Sequence, residues 1–258
     1  MRIFAVACLF LLPSWIFSQV NTERYRKDYE TLGFSMTNTT GIDFSSGNTE
    51  ELEISEAIRL DWNNPIQDYY AVFEYDFKTA DKKKTKDKGF VHLRTIRDLK
   101  NNYLFGEAFS QLEMDRFLNL RSRFLIGGGM RLDMVAMLKE DEAEKTNVKV
   151  FTGIGVMYEN EVYSDKETFH ISHMRATTYI SVIMAITADV DLGLVNYYQP
   201  AFENFIDYRF TSDVMLKVKV VGKLSIQFEA TYKHRNLIVD DTFKDDLEIK
   251  SALVLRLP

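Results

Sequence analysis

Strict alternation of apolar and polar residues near the C-terminus constrains this chain more than any other feature. Between residues 224 and 232, five apolar side chains alternate with polar or charged ones, and residues 247–257 repeat the pattern. Successive side chains of a β-strand point to opposite faces, so each segment has one apolar and one polar face. A half-buried strand of a soluble sheet has this pattern, and so does a transmembrane strand between lipid and a polar lumen.

The same alternation recurs along the chain and predicts about twelve strands. It is clear in residues 32–45, 51–62, 120–134 and 206–220. Many segments run for about ten residues or more, whereas soluble strands typically have about 5–6. A tilted strand needs about 9–11 residues to cross a bilayer, and bacterial barrels have an even number of strands. The sequence therefore predicts an all-β fold, a closed antiparallel up-and-down transmembrane barrel over residues 31–258.

Polar stretches between these segments predict the connections. Residues 81–88 form a lysine-rich loop, residues 138–146 an acidic loop and residues 159–169 a long polar loop in this interpretation. Long connections would then follow strands 3, 7, 9 and 11, and short turns would follow strands 2, 4, 8 and 10. Short periplasmic turns opposite longer outer loops are typical of outer-membrane barrels, and the acidic loop after strand 6 is the exception.

The N-terminus has the features of a secretory signal peptide. Arg2 supplies a positive charge, an apolar core follows from residue 3 to 12, and Pro13 interrupts it. We expect cleavage after residues 1–19, with residues 20–30 as a short charged lead. A membrane anchor is the alternative, but the segment is shorter than the roughly 20 residues that a spanning helix needs.

The only cysteine, Cys8, lies in this predicted signal. Its lipidation is disfavoured because most of the apolar core follows it instead of preceding it. The mature chain would then contain no cysteine, which excludes disulfides, thiolate nucleophiles and cysteine-based metal sites.

Net charge and hydropathy limit where the protein can be located and which partners it can bind. The net charge of −6 gives no basic footprint for nucleic acid. After residue 19 no apolar run reaches the length of a membrane helix, so an integral protein of this sequence would have to be a barrel. We expect a multi-pass protein of the bacterial outer membrane. Its expected partners are outer-membrane lipid and, during biogenesis, the barrel-insertion machinery. No cofactor is expected. The sequence does not determine the oligomeric state.

Two segments resemble a known family. The stretch from Gly33 to Gly41, closing in the Ser-Gly-Asn-Thr turn at residues 46–49, is similar to the opening hairpin of the salt-induced outer membrane protein family, domain of unknown function 481. The segment from Leu120 to Leu132, with its arginines and glycines, resembles a mid-chain strand of the same family. The resemblance covers nearly the whole mature chain. It implies an outer-membrane barrel and no particular activity.

Charged residues opposite the apolar face are the candidate lumen-lining residues. They are Arg121, Arg123, Arg131, Asp207, Arg209, Lys217, Lys219, Glu229, Lys233, Glu248, Lys250 and Arg256. Opposite charges on neighbouring strands attract one another. These residues therefore predict either a structural barrel whose lumen is filled by ion pairs and water or a narrow passive channel for small solutes.

Few residues are candidates for catalysis or metal binding. His170 and His173 would face opposite sides of a strand, so we expect no metal site there. His170 and Ser172 share one face, which leaves an outer-membrane lipid acyl hydrolase as an alternative, although no third group is evident to orient the histidine. We expect no catalytic residue and no enzyme. A soluble periplasmic β-protein that binds a ligand is the third hypothesis.

Overall fold

The structure, a computed structural model, describes residues 32–45, 50–100, 103–138, 147–164, 168–237 and 244–257. The predicted signal and the lead lie outside these residues. The strands are β1 (Gly33–Ser45), β2 (Glu51–Asn63), β3 (Gln67–Ala80), β4 (Lys83–Lys100), β5 (Leu104–Asp115), β6 (Leu120–Asp133), β7 (Val148–Ser164), β8 (Thr168–Thr187), β9 (Val190–Pro200), β10 (Tyr208–Val221), β11 (Leu224–Arg235) and β12 (Asp245–Leu257). One short helix, α1 (Met134–Leu138), follows β6. Within the described ranges, no helix is long and apolar enough to span a membrane.

The twelve strands form one closed barrel. Each strand pairs antiparallel with its neighbours in sequence, and β1 pairs with β12 to complete the ring. In this closing pair Met36 lies opposite Leu257 and Thr40 lies opposite Leu253. The predicted strand number, the up-and-down order and the closure are confirmed.

The alternation in the sequence separates the two faces of the wall. Phe228 and Leu253 are 51% and 53% exposed on the outside of the barrel. Arg59, Asp213 and Thr231 are almost fully buried on the inside. Apolar side chains that would form the core of a soluble sheet are thus on the outer surface, as expected of a barrel that faces lipid.

The interior is not polar throughout. Tyr70, Val72, Phe90 and Ile96 form a buried apolar cluster inside one wall, and Tyr179 packs with Val195 and Tyr197 inside another. Leu125 and Met157 also point inward and are almost fully buried. Apolar and aromatic side chains therefore fill part of the lumen that the charge pattern predicts to be wet.

The barrel has two different ends. The terminus end contains the start of β1, the end of β12 and the connections after even-numbered strands; the far end contains the connections after odd-numbered strands. At the far end, only Asp81 and Lys82 connect β3 to β4, and both have positive φ angles, 48° and 62°. Such a pair makes a two-residue hairpin turn without glycine. The predicted loop at residues 81–88 is therefore wrong, because residues 83–88 continue as strand β4.

The predicted loop at residues 159–169 is also wrong. Strand β7 continues to Ser164 and β8 begins at Thr168. Glu159 and Glu161 are buried at inward positions of β7, so their polarity reflects the lumen and not a loop. The expected long connections after strands 3 and 7 are thus absent from the described chain. The acidic loop is mostly outside the described residues, which resume at Asn147.

Candidate functional site

A large cluster of buried charges lies inside the far end of the barrel. This arginine cluster consists of four arginines and four carboxylates: Arg123, Arg175, Arg209, Arg235, Glu113, Glu159, Glu161 and Asp207. Lys88 Nζ also lies 3.3 Å from Glu113 Oε1, so every carboxylate of the cluster faces at least one cation. Such pairing is required, because an unpaired charge in a buried site costs several kcal/mol.

Glu159 and Glu161 are the centre of the arginine cluster. Arg123 Nε donates to Glu159 Oε1 at 2.6 Å and Arg175 Nε donates to Glu159 Oε2 at 2.6 Å, while Arg209 donates to the same carboxylate. Arg209 Nη2 also donates to Glu161 Oε2 at 2.7 Å. With Arg235, which also pairs with Glu161, the two inward carboxylates of β7 contact guanidinium groups from four other strands.

Several of these bonds cross the lumen. Strands β7 and β10 are three positions apart around the barrel, yet Arg209 bonds to both glutamates. Strand β11 is four positions from β7, and Arg235 Nη2 lies 3.1 Å from Glu161 Oε1. In a ring of twelve strands the opposite wall is six positions away. The bonds of Arg209 and Arg235 therefore cross part of the lumen as chords and occupy that part with side chains.

A second cluster lies inside the far end on the other side. The lysine cluster consists of Lys86, Lys250, Glu53, Asp76 and Glu248. Lys86 Nζ donates to Glu53 Oε1 at 3.0 Å and also pairs with Glu248, four strands away, while Lys250 Nζ donates to Asp76 Oδ2 at 2.8 Å. Its side chains are about one-quarter exposed or less, so the lysine cluster is more accessible than the arginine cluster.

Glu107 on β5 organises a third set of inward polar contacts. Arg131 Nη1 lies 2.8 Å from Glu107 Oε1, Arg94 donates to Oε2, and the Tyr179 hydroxyl donates to the same carboxylate from 2.9 Å. The guanidinium of Arg131 also lies 5.0 Å from the ring centres of Phe105 and Phe151. These contacts fix the interior of the β4–β8 wall.

An open cavity occupies the other part of the lumen. It has a volume of about 660 Å³ and is lined mainly by inward residues of β1–β3 and β8–β12. Small side chains such as Ser35, Thr37 and Ser225 line it, together with the ion pair between Lys217 and Asp191 (Nζ–Oδ2, 2.9 Å). Residues of the β8–β9 and β10–β11 turns also line the cavity, which places its mouth at the terminus end.

The connection between β9 and β10 is fastened to the far end. His173 Nε2 lies 3.3 Å from Asp207 Oδ2, and His173 Nδ1 lies 3.5 Å from Glu203 Oε2. The backbone N–H of Met174 donates to Glu203 Oε1 at 3.1 Å, and this hydrogen bond lowers the pKa of Glu203. These contacts hold the connection against β8, beside the arginine cluster.

Eleven of the twelve candidate lumen charges face the interior, but they do not form one site. Arg123, Asp207 and Arg209 belong to the arginine cluster, and Glu248 and Lys250 belong to the lysine cluster. Arg131 bonds to Glu107. Lys217, Lys219, Glu229 and Arg256 line the open cavity. Lys233 lies at an inward position of β11 opposite Asp246.

Arg121 is the exception, and its predicted place in the lumen is wrong. The pairing of β6 with β7 shifts between Leu120 and Ser122, so Arg121 is the extra residue of a β-bulge. Its side chain is exposed, whereas Leu120 is buried. The bulge breaks the strict alternation that the prediction assumed.

The residues of the hydrolase hypothesis lie on the outer face of β8. Ser172 Oγ accepts a hydrogen bond from Asn160 Nδ2 at 2.7 Å and is 3.3 Å from the hydroxyl of Tyr158. His170 is exposed and pairs in register with Val162. His173 points inward, so the two histidines occupy opposite faces as predicted. Among the described hydrogen bonds, none joins His170 to Ser172.

Sequence reasoning missed the carboxylates that hold the arginines. The sequence interpretation places Glu159 and Glu161 in a loop and does not include Glu113, Arg175 and Arg235 among the lumen-lining residues. The signal was present, because Glu159, Glu161 and Tyr163 alternate with Tyr158, Asn160 and Val162 over the end of β7. An alternation of period two over this segment predicts that the strand continues and that both glutamates lie on its inward face.

Residues 39–256, most of the chain, match the protein family of unknown function DUF481. The chain belongs to this family. The family resemblance inferred from the opening hairpin and the β6 segment is thereby confirmed, although the match does not test the salt-induced description. No curated protein matches the chain.

Among solved structures, the barrel is similar to an outer membrane channel from Pseudomonas putida F1, with a TM-score of 0.51 and 9% identity over 93% of this chain and 100% of that chain. This likeness shows the fold. The NanC porin gives a TM-score of 0.47 at 10% identity, covering 86% of this chain and 98% of that chain. The translocator domain of the autotransporter NalP from Neisseria meningitidis gives 0.49 at 6% identity, covering 86% of each chain.

Proposed function

We propose that this DUF481 protein is a multi-pass barrel of the bacterial outer membrane in which charged clusters restrict the lumen to water and small solutes. The bonds of Arg209 and Arg235 across the lumen support this proposal most directly. The cavity gives solutes access from the terminus end, and the arginine cluster is the constriction beyond it. The protein is accordingly a narrow passive channel or, with the clusters intact, a largely closed structural barrel.

Planar-bilayer conductance of paired charge deletions tests the constriction. Removing both members of one chord, Arg209→Ser with Glu161→Ser, leaves the formal charge of the cluster unchanged. We expect this variant to conduct more than the wild type, because the chord no longer spans the lumen. The matched control is Lys217→Ser with Asp191→Ser, which deletes an ion pair of the open cavity and should leave the conductance unchanged.

Two outcomes would reject the constriction. Equal conductance of all three proteins would show that the arginine cluster does not limit flow. Rapid liposome swelling by a disaccharide with the wild-type protein would show that the lumen is already wide.

Membrane fractionation tests the proposed location in the outer membrane. Recovery of the protein without detergent would support a soluble periplasmic protein instead.

We also propose that the protein is not an enzyme. Ser172 is held by Asn160 on the outer face, away from the inward polar groups that could stabilise a reaction. A lipid-release assay that compares the wild type with Ser172→Ala tests this directly. Activity in the wild type that is lost in the variant would restore the hydrolase alternative.

A further inference from the structure

A small polar group interrupts the apolar outer wall midway along β1 and β2. It consists of Asn38, Thr40 and Glu56, which occupy outward, partly exposed positions. Outward residues on all sides of the group are apolar or aromatic: Met36, Ile42, Ile54, Ile58, Phe73, Tyr75, Leu253 and Leu255. This outer polar group is therefore remote from both ends of the barrel and, in the proposed membrane, lies at the depth of the hydrocarbon.

The three side chains bond to one another without using all their hydrogen-bonding atoms. Glu56 accepts from Asn38 Nδ2 at one carboxylate oxygen and from the Thr40 hydroxyl at the other, 2.7 Å away. The Thr40 hydroxyl also lies 2.9 Å from Asn38 Oδ1. A carboxylate has about four acceptor sites, and a primary amide has about two N–H donors. Acceptor sites of Glu56 and one N–H of Asn38 therefore remain for a partner outside this barrel.

Hydrocarbon cannot supply that partner. Lipid tails neither donate nor accept hydrogen bonds, so exposed polar groups at this depth are costly, and ionisable ones are retained where they have a function. Lipid head groups lie towards the two ends of β1, beyond the outward Phe34 and Phe44. Transmembrane helices use polar side chains to bond to one another, and a second barrel can do the same. The outer polar group therefore fits contact with another protein at the same depth.

The arrangement of the outer polar group is complementary to itself. The amide donor, Asn38, is on β1, and the carboxylate acceptor, Glu56, is on the neighbouring strand β2. A second copy of the chain, rotated by a half-turn about an axis along the membrane normal, brings its carboxylate to this amide and its amide to this carboxylate. Such an isologous contact uses the same patch on both subunits and occupies both sets of unused atoms.

We propose that the outer face of β1 and β2 is the interface of a two-fold dimer of this chain in the membrane, with reciprocal hydrogen bonds between Asn38 of one copy and Glu56 of the other at its centre. Each carboxylate then accepts from two amides, which places donors between the two acids. The surrounding apolar side chains, among them Ile58 and Leu255, pack against the second copy. The inference rests on the proposed membrane location and does not depend on whether the lumen conducts.

Counting the photobleaching steps of singly labelled protein in vesicles at low protein density measures the oligomeric state. We expect dimers of the wild type and monomers of Asn38→Leu with Glu56→Leu, which removes the donor and the acceptor. Glu56→Gln retains an acceptor oxygen and should remain dimeric. Asn196→Leu is the matched control, because Asn196 is an outward polar residue of β9, away from the proposed interface. A monomeric wild type, or a double variant that stays dimeric, would overturn the proposal.

Cysteine cross-linking tests which face is in contact. With Cys8→Ser as background, Ile58→Cys should form an intermolecular disulfide under mild oxidation, because Ile58 lies opposite Asn38. Ile154→Cys on β7, on the opposite side of the ring and 67% exposed, should remain reduced. Cross-linking that is equal at the two positions, or greater at residue 154, would overturn the interface. Recovery of the protein without detergent would instead reject the membrane location, so the two failures are distinguishable.

Discussion

The two parts of the lumen share one alternation pattern and have opposite contents. At the far end, inward positions of β7, β8 and β10 carry long charged side chains such as Glu159, Arg175 and Arg209, which meet across the interior. Around the cavity, inward positions of β1 carry small side chains, Ser35, Thr37 and Gly41, opposite longer ones such as Lys217 and Glu229. The period of the pattern decides which face is inside. Whether long side chains on separate strands meet across the interior then decides whether that space is filled or open.

The largest effect should come from removing the carboxylate on which three arginines converge. We expect Glu159→Gln to destabilise the barrel by about 3–5 kcal/mol, because it removes one negative charge from a buried cluster in which three guanidinium groups share that carboxylate. Urea unfolding in phospholipid vesicles measures the free energy. A loss below about 1 kcal/mol, the range of exposed ion pairs, would show that the arginine cluster is as well hydrated as the cavity.

A smaller effect is expected where the wall packs without space for a side chain. A Cβ on Gly153 would overlap the ring of Tyr179, whereas a Cβ on Gly106 would meet Leu99 at an ordinary 3.4 Å. Gly153→Ala should therefore cost about 1–3 kcal/mol of unfolding free energy, as overpacking usually does. Gly106→Ala is the control and should change little. Equal losses of unfolding free energy for the two variants would contradict the close packing of Gly153 against Tyr179.

The smallest effect is expected at the mouth of the cavity. Lys219 and Asp189 are more than half exposed, with Nζ and Oδ1 3.7 Å apart. Exposed pairs contribute about 0–1 kcal/mol, so Lys219→Gln should be close to neutral in the same urea titration. A loss comparable to that of Glu159→Gln would remove the distinction between the filled and the open part of the lumen.

Much of the fold follows from the sequence because the wall of a barrel is a regular repeat. Alternation over ten or more residues identified twelve strands and the outward position of residues such as Phe228 and Leu253. It failed where local geometry departs from that repeat. Arg121 lies in a bulge, and the Asp81–Lys82 turn uses positive φ angles without the glycine that usually signals such a turn.

The arrangement of charges could be predicted less well than the wall. Alternation places Glu248 and Lys250 inside, but it cannot show that Lys86, four strands away, reaches one of them. Contacts across the lumen depend on strand tilt and on the relative height of strands that are not neighbours. Those quantities are properties of the closed ring, so the clusters and the cavity become visible only in three dimensions.

Spin-label accessibility along β11 tests the central claim most directly, namely that apolar side chains face hydrocarbon while the inward ones enclose a wet cavity. With Cys8→Ser as background, single cysteines at 227, 228, 229 and 230 would be labelled in reconstituted vesicles. Labels at Phe228 and Ala230 should be relaxed by oxygen, and labels at Gln227 and Glu229 by a water-soluble nickel complex. The reverse pattern, or four equal responses, would contradict the account.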